Sequence, residues 1–175
     1  MPERNLEQMA EAVAEIRRRM DQAAREAGRD PASVHLCAAC KTHTPETIAL
    51  SAQLPIDLFG ENHVQELCAN YEAGAYCGKP VHFIGHLQTN KIKKVLGKAS
   101  LIQSVDSERL VLALEKEAAK LDLVQDILLE VNIGEEASKT GVSPEQLWAL
   151  LDTAAAQPHL RVTGLMALPP VNDDD

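Results

Sequence analysis

Short apolar runs that alternate with amphipathic helical stretches constrain this 175-residue chain more than any other feature of its sequence. Apolar runs of this length are typical of buried β-strands, and a repeated strand-then-helix order makes successive strands parallel. The sheet is then either open and doubly wound or closed into a barrel, and periodicity alone does not choose between the two. Six strands are predicted, at 34–40, 58–59, 81–84, 101–105, 127–131 and 162–168.

The helical stretches carry start signals of their own. Segment 5–27 places apolar residues at spacings of three and four, with Asn5 in a capping position. Thr44 stands directly before a proline, and Ser143 stands before a proline with Gln146 three residues on, which predicts a capping box. A further helix, at 107–120, has an apolar stripe formed by Leu110, Val111, Leu114 and Ala118.

Composition limits the classes of function. Hydrophobic residues make up 45% of the chain and charged residues 25%, which is typical of one soluble globular domain. An aromatic content of 3% and a net charge of −9 disfavour a nucleic-acid partner. The chain offers neither an apolar signal peptide nor an apolar run of membrane-spanning length, so we expect a cytoplasmic protein without a membrane partner. One basic run is expected to be a solvated helix face: Lys91, Lys93, Lys94 and Lys98.

Polar residues that follow the predicted strands are the candidates for a functional site, because ligands bind at the carboxyl ends of parallel strands. Lys41, Asn62, His86, Asp106 and Asn132 each follow a strand and are expected to converge on one mouth. The chain contains no G-x-S-x-G, P-loop or G-x-G-x-x-G sequence. We therefore do not expect a common hydrolase, an NTPase or a dinucleotide-binding protein of the Rossmann type.

Lys41 leaves two interpretations open. If its side chain points into the mouth, burial favours the neutral amine, which is a nucleophile able to form a Schiff base with an aldehyde. If it points outward, it is a snorkelling or salt-bridged lysine at a strand end.

Two other patterns admit chemical interpretations that we set aside. Cys37 and Cys40 spell C-x-x-C, but residues three apart on a strand face opposite ways, so a thioredoxin-type pair is rejected. With Cys68 they are expected to be small core residues, and zinc is not expected. His82, inside a predicted strand, is expected to be a satisfied, half-buried histidine, whereas His86 is expected to line the site.

Six sequence blocks together resemble the YggS/PROSC-type pyridoxal phosphate homeostasis proteins, which are related to the N-terminal domain of alanine racemase. The blocks are CKTHTPETI, FGENHVQE, HFIGHLQTNKIKKV, LIQSVDS, VNIGEEASKTGVSPEQL and LRVTGLMALPP. They occur in the family's order and spacing and span residues 40–170. The block HFIGHLQTNK is highly specific to this family.

The resemblance implies an α/β fold of the (β/α)8 TIM-barrel type, represented here by an N-terminal helix and about the first six βα units. It implies pyridoxal 5′-phosphate (PLP) as the cofactor, held as a Schiff base by Lys41. Asn62 would lie beside the cofactor, and His86 and Met166 would line the pocket. No catalytic or metal-binding residue is implied.

The sequence departs from the family's pattern at three places. The family's phosphate-binding blocks, G-M-S and R-I-G, follow the sixth strand, and neither occurs in this sequence, so residues 1–175 are expected to be one barrel domain that is incomplete at its C-terminus. Cys40 replaces the usual serine before the Schiff-base lysine, and His43 replaces a frequent second lysine. Lys139 is a candidate for that second amine or, equally, a solvated loop residue.

Three functions follow from the resemblance, and the first is favoured. In the first, the chain would be a PLP carrier in intracellular PLP homeostasis, with PLP and apo forms of PLP-dependent enzymes as partners, and would be a monomer or weak dimer. Alternatively it is a racemase-like PLP enzyme, which needs a second acid or base that only His86 or His43 offers. As a third alternative, it is a protein-binding module with a vestigial cofactor site, which a Lys41→Ala variant with full biological activity would favour.

Overall fold

The computed structural model describes residues 6–134 and 140–169, and the predicted positions Asn5 and Lys139 lie outside them. Helices and strands alternate along the described chain. The α-helices are α1 (Leu6–Glu26), α2 (Pro45–Ser51), α3 (Val64–Glu72), α4 (Ile92–Val95), α5 (Glu108–Lys120) and α6 (Leu147–Ala155). The strands are β1 (Cys37–Ala39), β2 (Leu58–Glu61), β3 (Val81–Phe83), β4 (Leu101–Val105), β5 (Gln125–Glu130) and β6 (Leu160–Met166).

The six strands form one sheet in which every neighbouring pair is parallel and the order follows the sequence, β1-β2-β3-β4-β5-β6. A doubly wound sheet reverses its strand order at a switch point, whereas a (β/α)8 barrel does not. The sequential order therefore decides between the two alternatives that periodicity left open. The predicted α/β fold with an N-terminal helix and six strand units is confirmed.

The two faces of the sheet differ in burial. One face packs under the helices, and its central side chains are at most 3% exposed: Phe59, Val81, Ile102, Ile127 and Leu129. On the other face, neighbouring positions from β3 to β6 are half-buried or exposed: His82, Leu101, Asp126 and Arg161. Right-handed crossovers put all helices on one side, and a barrel closes around the opposite face.

The two edge strands differ from their predicted bounds, 34–40 for β1 and 162–168 for β6. Val34 caps a 3-10 turn at Pro31–Ser33, so β1 begins only at Cys37. β6 covers Leu160–Met166, two residues earlier than predicted, and the side chain of Leu165 on it is 57% exposed. Within residues 6–134 and 140–169, neither β1 nor β6 has a second neighbouring strand.

The predicted helix starts are largely confirmed. The Thr44 hydroxyl accepts a hydrogen bond from the Thr47 amide (3.3 Å) at the start of α2. Ser143 and Gln146 exchange side-chain to backbone hydrogen bonds of 3.3 and 3.4 Å, which is the predicted capping box. However, Gln146 is itself the N-cap, so α6 begins at Leu147 rather than inside the box.

The cysteines correct one prediction. Cys40 is 4% exposed in the core, but Cys37 is exposed and Cys68 only partly buried, and all three are free thiols. Cys37 is not a core residue because it lies on the open face of an edge strand. The rejection of a redox pair agrees with this opposite placement of Cys37 and Cys40.

Asp57, just before β2, fastens α1 to the sheet. Its Oδ2 atom accepts a hydrogen bond from the Leu36 backbone amide (2.5 Å) and forms an ion pair with Arg17 of α1. Arg17 also donates to the carbonyl of Pro55 (2.8 Å). Burial opposes ionisation of Asp57, but the Leu36 amide and Arg17 together hold the pKa of its carboxyl below the usual value.

We expect Asp57→Asn to lower the free energy of unfolding at pH 7 by about 1–2 kcal/mol, since one charged acceptor serves both partners. A carboxyl with a lowered folded-state pKa stabilises the fold above its unfolded-state pKa, and that contribution is lost as the pH falls. The difference between the two proteins should therefore shrink towards pH 3 in urea unfolding measurements. Asp21→Asn, which removes an exposed i,i+4 partner of Arg25, is the matched control and should change stability by less than about 0.5 kcal/mol. Equal effects of the two substitutions would contradict this account of Asp57.

Candidate functional site

Lys41 lies in a tight turn that directly follows β1. The turn covers residues 40–43 and is closed by a hydrogen bond from the His43 amide to the Cys40 carbonyl (3.0 Å). Thr42, the third residue of the turn, has a φ of 69°. Both Lys41 and Thr42 are exposed. The burial that the inward interpretation of Lys41 required is therefore not found.

The two ends of this turn are fixed by different elements. Before it, the Cys40 amide donates to the Gly60 carbonyl of β2 (2.9 Å), which continues the parallel ladder. After it, Thr44 caps α2. Lys41 and Thr42 are thus the two residues that must reverse the chain between sheet and helix.

A cavity of about 680 Å³ adjoins the turn. It lies between α1, β1 and α2, and Lys41, Thr42 and His43 form part of its wall. Asn62, His86 and Met166 do not line it. Of the four predicted site residues, only Lys41 therefore lines this cavity. The other three lie at the ends of other strands.

Asn62 and His86 follow neighbouring strands whose ends are in close backbone contact. A Cβ atom placed on Gly85 would lie 2.1 Å from the Asn62 carbonyl oxygen, so only glycine permits this approach. The Asn62 side-chain oxygen Oδ1 is buried and has no hydrogen-bond partner in the part of the chain that the structure describes. A buried acceptor of this kind is satisfied only by a group from outside the described chain.

The neighbouring strand β4 extends this arrangement. The Ser104 hydroxyl donates to the Gly85 carbonyl (2.5 Å), and Asp106 Oδ2 lies 3.6 Å from Nδ1 of His86. Ser107 also donates to Asp106, at 3.1 Å. His86 is exposed while Asp106 is largely buried, and the Asp106 carboxylate faces the imidazole as an ion-pair partner when His86 is protonated. Sequence reasoning placed Asp106 at the mouth but did not pair it with His86.

Met166 is the most distant of the predicted site residues in strand order. It ends β6 and pairs in register with Glu130 of β5, on the side of the sheet opposite to β1. The Glu130 carboxylate, 4% exposed, accepts a hydrogen bond from Thr140 (2.6 Å). Within the described sheet Met166 is separated from Lys41 by the full row of strands, and closure of a barrel is what would bring the two together.

A buried, hydrogen-bonded carboxyl group belongs to Glu61, the residue before Asn62. Glu61 is fully buried, and its Oε1 atom accepts hydrogen bonds from Asn70 (2.7 Å) and Tyr76 (2.9 Å). Its Oε2 atom has no partner in the described residues. Burial first, and then the nearby charge of Glu66, raise the pKa of the Glu61 carboxyl against the effect of its two donors. The sequence predicts this strand to end at residue 59 and places Glu61 after it, whereas β2 runs to Glu61 and the side chain of Glu61 is buried.

The thiol next to Lys41 is kept in its neutral form. Burial, with a smaller effect from the charge of Glu61, raises the pKa of the Cys40 thiol to about 12. A neutral thiol is a poor nucleophile. Cys40 therefore does not compete with the Lys41 amine for an aldehyde.

His82 lies outside the mouth, within β3. His82 Nδ1 lies 2.8 Å from the Gln103 amide nitrogen, and burial, with a smaller effect from His35, lowers the pKa of His82, as expected for a satisfied, half-buried histidine.

In residues 6–134 and 140–169 no group of three metal-ligating side chains occurs. Every helix of these residues is too short or too polar to cross a bilayer.

Comparison with known proteins assigns the class. A family model for the N-terminal domain of alanine racemase matches residues 9–175, and the chain belongs to this family. Within it, the chain is similar to the pyridoxal phosphate homeostasis protein of Aquifex aeolicus, with 41% identity over 160 residues, 91% of this chain and 70% of that protein.

Solved structures agree with this assignment. A crystal structure of a protein from Bifidobacterium adolescentis is similar to the present fold with a TM-score of 0.89 and 30% identity, over 97% of this chain and 72% of that one. PipY of Synechococcus elongatus, solved with PLP bound, has a TM-score of 0.72 and 28% identity, over 87% of this chain and 71% of that one. The predicted family is thereby confirmed.

We expect Glu61→Gln to make the protein more stable than wild type at pH 8, by an amount on the order of 1 kcal/mol or about 2–4 °C in melting temperature, because an ionised buried carboxylate is removed. The neutral Glu61 carboxyl stabilises the fold fully below its unfolded-state pKa, and this contribution is lost as the pH rises through the raised folded-state pKa. The advantage of the variant should therefore disappear towards pH 4.5. Glu117→Gln is the control. Because Lys120 lowers the pKa of Glu117, this variant should change stability at pH 8 in the opposite direction, towards a less stable protein. A pH-independent difference between Glu61→Gln and wild type would refute the argument.

Proposed function

We propose that this chain binds pyridoxal 5′-phosphate, holds it as a Schiff base on Lys41 and takes part in intracellular PLP homeostasis. The observation that carries the proposal is the exposed Lys41 amine, held in a tight turn at the carboxyl end of β1. PLP supplies an aldehyde that condenses with a primary amine. The relative from Aquifex aeolicus is named a pyridoxal phosphate homeostasis protein, and the similar PipY structure holds PLP.

The residues of the mouth fit such a group. Lys41 offers the amine, and Asn62, at the next strand end, offers a buried amide oxygen that lacks a partner among the described residues. His86 and, once the barrel is closed, Met166 complete the lining in this proposal. The neutral Cys40 thiol leaves Lys41 as the nucleophile on this strand end.

A carrier agrees with the exposure of the site better than a committed enzyme does. Lys41, His43 and His86 are all exposed, so a bound cofactor would be open to water and to exchange. Enzymes that stabilise a carbanion exclude water from it. We therefore propose apo forms of PLP-dependent enzymes as the partners that receive PLP.

We further propose that the described sheet belongs to one barrel domain. The edges of β1 and β6 lack second neighbours among the described residues, and the open face between them is half-buried. Two more parallel strands would complete an eight-stranded barrel. The chain spans about 70% of the length of its Aquifex relative, which leaves room for such strands in the relative's own chain.

One observation favours a second candidate function, a racemase-like activity. His86 lies 3.6 Å from Asp106, and an imidazole beside a carboxylate is the kind of pair that general acid–base catalysis uses. A side chain that can exchange protons at the mouth is what a two-base reaction needs in addition to Lys41.

Borohydride reduction tests the leading proposal. After incubation with PLP and reduction, peptide mapping by mass spectrometry should find a pyridoxyl group on Lys41, and the absorbance of the Schiff base should disappear. Lys41→Arg keeps the charge but cannot form the bond, so it should lose the adduct. Lys116→Arg, on the exposed side of α5, is the matched control and should keep it. No adduct in wild type, or adducts spread evenly over surface lysines, would contradict the proposal.

Exchange of the α-hydrogen of amino acids in D2O separates the two candidate functions. For a carrier we expect wild type with PLP to exchange alanine no faster than free PLP does, and His86→Gln to behave identically. Exchange at least tenfold faster in wild type, lost in both His86→Gln and Asp106→Asn but kept in Lys116→Arg, would establish the enzyme instead. Proton NMR of the alanine signal measures this directly.

A further inference from the structure

The turn that carries Lys41 contains the one strained β-branched residue among the described positions. Three non-glycine residues of the described chain have positive φ: Thr42 at 69°, Cys77 at 50° and Asp122 at 51°. Only the third residue of the 40–43 turn has positive φ, which is the pattern of a type II turn, where glycine or asparagine is preferred. Threonine is poorly suited to this conformation, because its branched Cβ crowds the backbone.

Nothing in the described chain offsets this strain through the Thr42 side chain. Thr42 is exposed, and within residues 6–134 and 140–169 its hydroxyl makes no hydrogen bond. The ends of the turn are fixed, because the Cys40 amide donates to Gly60 of β2 and Thr44 caps α2, so the Lys41–Thr42 peptide is the part of the turn that can rotate. Strain of this kind, next to a nucleophile, is a basis for a functional hypothesis.

The strain has a definite consequence for Lys41. The turn can relax, with both ends kept, by rotating the Lys41–Thr42 peptide so that Thr42 moves to negative φ. Such a rotation changes the backbone from which the Lys41 side chain projects. A bound group that requires the observed turn must therefore work against the preference of Thr42, and its apparent affinity falls accordingly.

We propose that Thr42 is a positioning residue that sets how tightly Lys41 holds PLP, with its strained backbone weakening the hold so that the cofactor exchanges. The inference rests on the proposed function. The affinity of Lys41 for PLP then depends on how well residue 42 tolerates a left-handed backbone. A hydroxyl at residue 42 has no part in it.

A series of substitutions at position 42 tests this, with PLP affinity and release rate measured by absorbance. Thr42→Gly and Thr42→Asn tolerate the left-handed backbone and are expected to hold PLP about 5- to 30-fold more tightly, mainly through slower release. Thr42→Val keeps the branched Cβ and is expected to bind no more tightly than wild type. The melting temperatures of the PLP-free variants form a second readout, and Thr42→Asn should melt close to wild type, because the turn can already relax when no group is bound. A higher melting temperature without tighter binding would show that the free and bound forms share the strain.

Cys77→Gly is the matched control, because it relieves a strained residue in the loop before β3 that does not line the Lys41 cavity. It should raise the melting temperature and leave PLP affinity unchanged. Equal or weaker affinity in Thr42→Gly and Thr42→Asn would overturn the inference, as would tighter binding in Thr42→Val or in Cys77→Gly. If wild type forms no borohydride-reducible adduct, the proposed function fails, whereas an adduct in wild type with no gain in the two tolerant variants refutes the role of Thr42 alone.

Discussion

The burial of one sheet face under the helices is the constraint on which the rest of the structure depends. Phe59, Ile102 and Ile127 are at most 1% exposed on that face, and right-handed crossovers place every following helix over it. At roughly 25 cal/mol for each Å² of buried apolar surface, side chains of this size contribute about 1.5–3 kcal/mol each. The same packing directs the carboxyl ends of all strands to one side, and this is where Lys41, Asn62 and His86 lie.

The mouth is built from backbone contacts more than from side-chain networks. Gly85 lets the ends of β2 and β3 touch, and Ser104 ties Gly85 to β4. The turn at Lys41 is fixed by its flanking ladder and helix cap. A site made in this way is rigid in its frame and open to solvent. Both properties suit a protein that holds a reactive aldehyde reversibly and passes it on.

The same frame leaves the mouth open in the part of the chain that the structure describes. His86 and Asp106 show that a proton-transferring pair is compatible with the mouth, but the exposure of Lys41 leaves a bound group in contact with water. Low dielectric and exclusion of water are what strengthen the electrostatic effects of an active site.

The sequence by itself determined the alternation of strands and helices, the cap at Thr44, the capping box at Ser143, and the position of Lys41 at a strand end, because these depend on local periodicity and hydrogen bonding. It also carried the family motifs. Tertiary structure alone decided the sequential strand order, the exposure of Cys37, the burial of Glu61 and the pairing of His86 with Asp106. These properties depend on which strands are neighbours and which face each strand turns to the helices, and an apolar run read alone contains neither. The positive φ of Thr42 belongs with them, since it occurs in a turn whose ends are fixed by β2 and α2.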